Sequence, residues 1–188
     1  RQNDWSGESV AIVGDVNGDG FDDFVIGAPG GGMKEAGSDP GQLFLFLGKA
    51  EPDWGPDTPL TDADAMWEGS PNDDLGFVVI GPGDWNGDGY DDIVVSAPQH
   101  PQGNAQAGRL WILLGRPAGW PGAMAPISED SSVVEVLPEI PNGKLGVGLA
   151  AVGDVNGDGL PDYAASAPLA SANAGKVYLY FGRTGAIV

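Results

Sequence analysis

The sequence contains no cysteine, one histidine, and only 8 Lys and Arg against 27 Asp and Glu. Each shortage excludes something. Without cysteine there is no disulfide framework and no thiol nucleophile, and the redox compartment cannot be read from pairing. A formal net charge of −19 repels phosphate backbones and anionic lipid, so nucleic acid and membrane surfaces are demoted as partners. No apolar run reaches the roughly 18 residues of a membrane span, so insertion into a bilayer is not expected. Nor does any capped stretch of helical spacing reach about ten residues. The chain opens Arg1-Gln2-Asn3-Asp4, with neither an initiator Met nor an apolar leader core, and reads as a processed or excised product.

What is abundant is turn chemistry and repetition. Gly and Pro number 32 and 16 of 188 residues, yet 41% of the chain is apolar and the apolar runs recur at regular places, which argues for a packed core rather than disorder. The stretch GDVNGDGFDDFVIGAP from Gly14 returns as GDWNGDGYDDIVVSAP from Gly83 and GDVNGDGLPDYAASAP from Gly153. The leading aspartates Asp15, Asp84 and Asp154 lie 69 and 70 residues apart, and a Gly precedes each by eight residues: Gly7, Gly76 and Gly146. After a variable loop each unit carries an alternating run between glycines: GQLFLFLG from Gly41, GRLWILLG from Gly108 and GKVYLYFG from Gly175. A weaker run closes the unit near Leu60 to Glu68 and again near Ser132 to Leu137. These short runs, rich in Val, Ile, Leu and aromatics and bounded by Gly and Pro, predict strands. The expected fold is therefore all-β: propeller blades of four antiparallel strands, three per chain, over residues 1–69, 70–139 and 140–188. The third blade is expected to lack most of its fourth strand.

The acidic turns have a specific spacing. With Asp15 as position 1, oxygens fall at positions 1, 3, 5 and 9, Gly20 at position 6 makes the bend, and position 7 offers a main-chain carbonyl. That is how a loop gathers hard oxygens around calcium. The first set is Asp15, Asn17, Asp19, Phe21 and Asp23. The second is Asp84, Asn86, Asp88, Tyr90 and Asp92. The third is Asp154, Asn156, Asp158, Leu160 and Asp162. Position 12 is Ile26, Val95 or Ala165 rather than Glu, which excludes an EF-hand, and magnesium would demand stricter octahedral geometry. A plain hairpin turn needs one Asn-Gly and gains nothing from further carboxylates. Three calcium ions per chain are expected. Position 8 is Asp22, Asp91 and Pro161, and the missing charge at Pro161 is expected to weaken the third loop slightly.

Together, the glycine, D-x-N-x-D-G-x-x-D loop, strand and Gly27-Ala28-Pro29 resemble the FG-GAP repeat of integrin α-subunit propellers. Ser96-Ala97-Pro98 and Ser166-Ala167-Pro168 stand at the same place, and the opening pair is Ser6-Gly7, Leu75-Gly76 and Leu145-Gly146. The resemblance covers nearly the whole chain. It implies a calcium-binding, non-catalytic module for protein interaction, adhesion or assembly, extracellular or at the cell surface, with the periplasm also open. Integrin propellers have seven blades, so three blades depart from the family.

Two other functions remain open. Trp5, Trp54, Trp67, Trp85, Trp111 and Trp120 would suit a carbohydrate-binding propeller, with Trp54 and Trp120 in Pro/Gly loops as surface candidates and Trp85 and Trp111 reading as core. An accessory part of a polysaccharide-degrading enzyme is the other. Catalysis by this chain is not expected: there is no Gly-x-Ser-x-Gly elbow, and the one histidine, His100, sits in a polar loop and reads as exposed. Exposed blade faces predict a homodimer, the third blade being completed by Ala186 to Val188 or by Arg1 to Trp5. A fragment of a larger propeller is the alternative.

Overall fold

The computed structural model describes residues 5–32, 39–52, 54–55, 57–102 and 105–184. The runs flanking the first acidic turn form an antiparallel hairpin, β1 (Ser9–Gly14) and β2 (Asp23–Ala28), followed by β3 (Gln42–Phe46) and β4 (Ala65–Glu68), each paired antiparallel with the strand before it. The second unit brings β5 (Val79–Gly83) and β6 (Asp92–Ala97), a small hairpin of β7 (Pro101–Gln102) and β8 (Ala105–Gln106), then β9 (Arg109–Leu113), β10 (Ala125–Pro126) and β11 (Val133–Val136). Its sheet runs β11-β9-β6-β5, and β10 leaves it to pair in parallel with β4 of the first unit. The third unit supplies β12 (Gly148–Gly153), β13 (Asp162–Ala167) and β14 (Lys176–Tyr180). The chain is thus all-β with three antiparallel sheets, four-stranded blades in the first two units and three strands among the described residues of the third. The segments expected to complete that third blade, 1–4 and 185–188, lie outside the described residues.

In every hairpin the register shifts just before the acidic loop: between Ile12 and Gly14, Ile80 and Gly83, and Ala151 and Gly153. A bulge there releases the strand from its ladder and aims it into the turn. The first strands β1, β5 and β12 pack against one another in sequence, so the blades stand in chain order about a common inner edge. The middle blade is covered on both faces. Accordingly all six residues of β6 are buried, whereas β14 of the third blade is mostly exposed.

The core lies between blades. Val16, Leu45, Ala65 and Trp67 of blade 1 meet Ile93 and Leu113 of blade 2. Trp85, Ile112, Val134 and Val136 of blade 2 meet Tyr163 and Tyr180 of blade 3 at the equivalent places. Bulk has moved between the two interfaces: the outer Trp67 becomes Val136, and the inner Val16 becomes Trp85. Asp130 closes the first interface from outside. It accepts the Trp67 Nε1–H at 3.0 Å and a two-pronged bond from Arg116 at 2.9 and 3.0 Å, while Arg116 stacks 4.4 Å from the Trp120 ring centroid.

The repeated glycines join the ends of each unit. Gly7, Gly76 and Gly146 donate their N–H groups to the carbonyls of Gly27, Ser96 and Ser166 at 3.0, 3.1 and 2.9 Å. The opening glycine therefore ties the start of a blade to the Gly/Ser-Ala-Pro segment of the same blade. His100 departs from expectation. It is 7% exposed, and its Nδ1 lies 2.6 Å from the Asp73 carboxylate, which is fully buried and also accepts the Ser70 N–H at 2.8 Å. The polar loop containing His100 folds back over the turn that leads into blade 2, a long-range contact that its local sequence does not announce.

Gly7 and Gly76 separate two costs. Both have φ near +90°, but an added Cβ at Gly7 meets nothing within 4 Å, while at Gly76 it would lie 2.6 Å from the Gln42 carbonyl oxygen of the preceding blade. Gly7→Ala should cost about 1–2 kcal/mol of backbone strain. Gly76→Ala should cost about 2–4 kcal/mol, because overpacking adds to the strain. Urea denaturation midpoints check the ordering.

Candidate metal-binding loops

The three acidic loops form the same network of hydrogen bonds. In the first, Asp15 Oδ1 accepts the N–H groups of Gly18 and Asp19 at 2.7 and 3.0 Å, and Oδ2 accepts that of Gly20 at 2.8 Å. Asn17 Oδ1 accepts the Asp19 N–H at 2.8 Å and its amide donates to Asp19 Oδ2 at 2.9 Å, while Asp19 Oδ1 accepts the Phe21 N–H at 3.0 Å. Asp84, Asn86, Asp88 and Tyr90 repeat every one of these bonds, and so do Asp154, Asn156, Asp158 and Leu160. Each loop thus turns its position-1 carboxylate inward as the acceptor for its own main chain.

Position 9 does something different. Asp23, Asp92 and Asp162 are fully buried. In each, one oxygen accepts the N–H of loop position 2 (Val16, Trp85, Val155), at 2.9 Å in all three. The other accepts the N–H of the glycine that ends the third strand (Gly48, Gly115, Gly182), at 2.7, 2.9 and 2.8 Å. The sequence marks these residues as ligands. It gives no sign that they also clamp the loop to a strand roughly 25 residues away.

The electrostatics follow from burial. Desolvation pushes the Asp23 carboxyl up to about 6 and the Asp92 carboxyl up to about 7, although the N–H groups of Gly48, Val16, Gly115 and Trp85 pull the other way. Asp154, fully exposed, is held below the usual range chiefly by the Gly159 N–H, which outweighs desolvation, with help from Gly157 and Asp158. A buried carboxylate so placed is neutralised by a proton or by a cation.

The donor chemistry fits a hard dication. In the first loop Asp15 Oδ2, Asn17 Oδ1 and the oxygens of Asp19 and Asp23 each accept one hydrogen bond and so keep a second lone pair, and Phe21 adds its main-chain carbonyl. Among the described residues no three His, Cys, Asp or Glu side chains by themselves form a metal-holding group. The three aspartates of a loop therefore do not converge on one point in this structure, and the fit is one of donor chemistry, with the Asn amide and the carbonyl included. A bound cation would neutralise the carboxylates and stiffen the turn.

The remaining candidates are placed plainly. Trp67, Trp85 and Trp111 are buried. Trp54 meets Phe24 and Phe46 edge-on at 5.3 and 6.1 Å, and Trp120 meets Trp67 at 6.1 Å, so neither loop tryptophan is a free stacking platform. Trp5 is 60% exposed. A cleft of about 560 Å³ opens between β11 and β14, lined by Trp85, Ile112, Val134, Tyr163 and Tyr180. At the equivalent place between blades 1 and 2 lie Trp120 and Ile127, carried by the β9–β11 connection. Position 8 reaches across a blade boundary: Asp91 turns from its own loop to accept the Asp15 N–H of the first loop at 2.9 Å.

Asp92→Asn keeps one acceptor oxygen for three N–H groups, those of Trp85, Asn86 and Gly115, and should cost about 1–3 kcal/mol by chemical denaturation. The pH dependence of the cation-free protein has a definite sign. Asp92 binds its proton near 7 in the fold and near 3.8 when unperturbed, so between those values the folded state holds more protons. Stability therefore falls as pH rises through that window, and it is present in full below it. In chelator, the denaturation midpoint should be higher at a pH of about 5 than about 8. Asp92→Asn should reduce the difference.

The chain matches the FG-GAP repeat family over residues 6–46, 77–113 and 146–180. It is 30% identical to mouse integrin alpha-8 over 192 aligned positions, 95% of this chain and 16% of that protein. It is 29% identical to Drosophila melanogaster integrin alpha-PS3 over 94% of this chain and 14% of that protein. It is also 40% identical to mouse phosphatidylinositol-glycan-specific phospholipase D over 57% of this chain and 13% of that protein. The chain therefore spans only about one-sixth or less of the length of these relatives. With three matched repeats, each closing an acidic loop between the first two strands of a blade, the chain belongs to the FG-GAP repeat family as an integrin-like propeller module.

Proposed function

We propose that the chain is a calcium-binding, non-catalytic propeller module for protein interaction or adhesion outside the cell, each loop taking one ion. One observation carries this reading: the same oxygen-lined network is built three times, and burial pushes up the Asp23 and Asp92 carboxyls beside the first two copies. Asp15, Asn17, Asp19 and Asp23 would hold the first ion, with the Phe21 carbonyl. Asp84, Asn86, Asp88, Asp92 and Tyr90 would hold the second, and Asp154, Asn156, Asp158, Asp162 and Leu160 the third. Millimolar extracellular calcium suits loops of this kind.

An accessory role beside a catalytic domain is the second reading, and the phospholipase D relatives favour it. The one histidine is buried on Asp73, and the position-9 carboxylates are engaged by N–H groups, which supports a non-catalytic part for these residues. Turnover of a glycosyl-phosphatidylinositol substrate by this chain alone would overturn that assignment. The carbohydrate reading loses Trp54 and Trp120 as stacking surfaces, and a glycan array tests what remains of it.

Assembly belongs to the same proposal. Val10 and Ile12 on blade 1 and Val177 and Phe181 on blade 3 are 61, 72, 74 and 47% exposed. Pairing of two chains would cover them. Light scattering should give twice the mass of the chain, and a clean monomer would contradict the pairing.

Calcium at about a hundredfold excess over Kd should add about 2.7 kcal/mol per site. Elemental analysis should find three ions per chain, and excess chelator should lower the melting temperature. Unchanged melting in chelator would end the calcium reading.

A further inference from the structure

The first two acidic loops are each gripped by the blade that follows. Asp91 Oδ2 accepts the Asp15 N–H at 2.9 Å, and the Asp91 N–H returns a bond to the Asp15 carbonyl at 3.2 Å. The Arg116 N–H donates to the Val16 carbonyl at 2.8 Å. The Tyr90 ring lies so close over Gly18 that a Cβ there would sit 2.6 Å from it. Blade 2 therefore holds the main chain of the first loop at positions 1, 2 and 4.

Blade 3 holds the second loop by two of these three contacts. The Arg183 N–H donates to the Trp85 carbonyl at 3.0 Å, and Leu160 lies 3.3 Å from the Cβ direction of Gly87. The third contact is missing for a chemical reason. Pro161 stands where Asp91 stands and has neither a carboxylate nor an N–H. It meets Gly83 only by van der Waals contact, 3.3 Å from the Cβ direction.

We propose that the following blade sets the cation affinity of the first two loops, with Asp91 the positioning residue of the first loop and Pro161 the reason the second lacks one. This rests on reading the loops as calcium sites. Fixing the main chain at position 1 fixes the carboxylate that organises the turn, so a gripped loop loses less freedom on binding. The first loop then binds calcium more tightly than the second, although their ligand types are the same.

The position-6 amides of Gly20, Gly89 and Gly159 each donate to the position-1 carboxylate and report the three loops separately by NMR. Asp91→Ala should raise the calcium Kd read at Gly20 roughly tenfold, the usual scale for losing an outer partner of a ligand. The Kd read at Gly89 should stay within about twofold. Asp91→Asn keeps an acceptor for the Asp15 N–H and should restore most of the affinity. Pro161→Asp should tighten the second loop and leave the third unchanged. In chelator, Asp91→Ala should speed hydrogen exchange at Gly18 and Gly20 but not at Gly87 and Gly89. Weakening confined to the second loop, or unchanged exchange in the first, overturns the proposal. Wild-type signals that ignore calcium overturn the calcium reading and the affinity claim together, while the exchange result alone decides the grip.

Discussion

The buried carboxylate at position 9 is the contact on which each blade depends. Asp23, Asp92 and Asp162 each bind an N–H group from the loop that follows the first strand and one from the glycine that ends the third, and Asp92 also binds that of Asn86. An apolar residue there would orphan both donors in a dry interior, a cost of a few kcal/mol. The clamp fixes how far the hairpin loop stands from the end of the sheet. It also explains why that glycine recurs: at Gly48, Gly115 and Gly182 a Cβ would lie 2.4, 2.3 and 2.5 Å from atoms of positions 7 and 8.

The same residue links fold to charge. A chain with net charge −19 pays for compactness in self-repulsion. Much of that charge sits in three turns, and two of the turns bury a carboxylate whose proton affinity desolvation has raised. Main-chain N–H groups offset part of the repulsion within each loop, by dipoles rather than by charges. A dication would offset more, and would do so at the point where the first two strands of the blade meet.

Between blades the logic is one of shared volume. The first interface is filled from outside by Trp67, Trp120 and Ile127 under the Arg116–Asp130 pair, the second from inside by Trp85 and Tyr163. Blade 2 contributes to both. Its central strand is therefore buried throughout, where the central strands of the flanking blades retain half-exposed positions.

The sequence by itself determined the period and the strand identities, because both are local. A strand needs only alternation and bounding glycines, and an acidic turn needs only oxygens at fixed offsets around a Gly. The fourth strands were legible near β4 and β11 for the same reason. Tertiary structure decided what depends on a neighbour: that His100 is buried on Asp73, that Trp54 and Trp120 are packed rather than presented, that Asp23 clamps Gly48, and that Asp91 serves the loop before its own. Residue type announces none of these, since an aspartate accepting an N–H from 76 residues away is written no differently from one facing water. The direction of a side chain across a blade boundary is set by how two sheets stack, and that stacking exists only once both are folded.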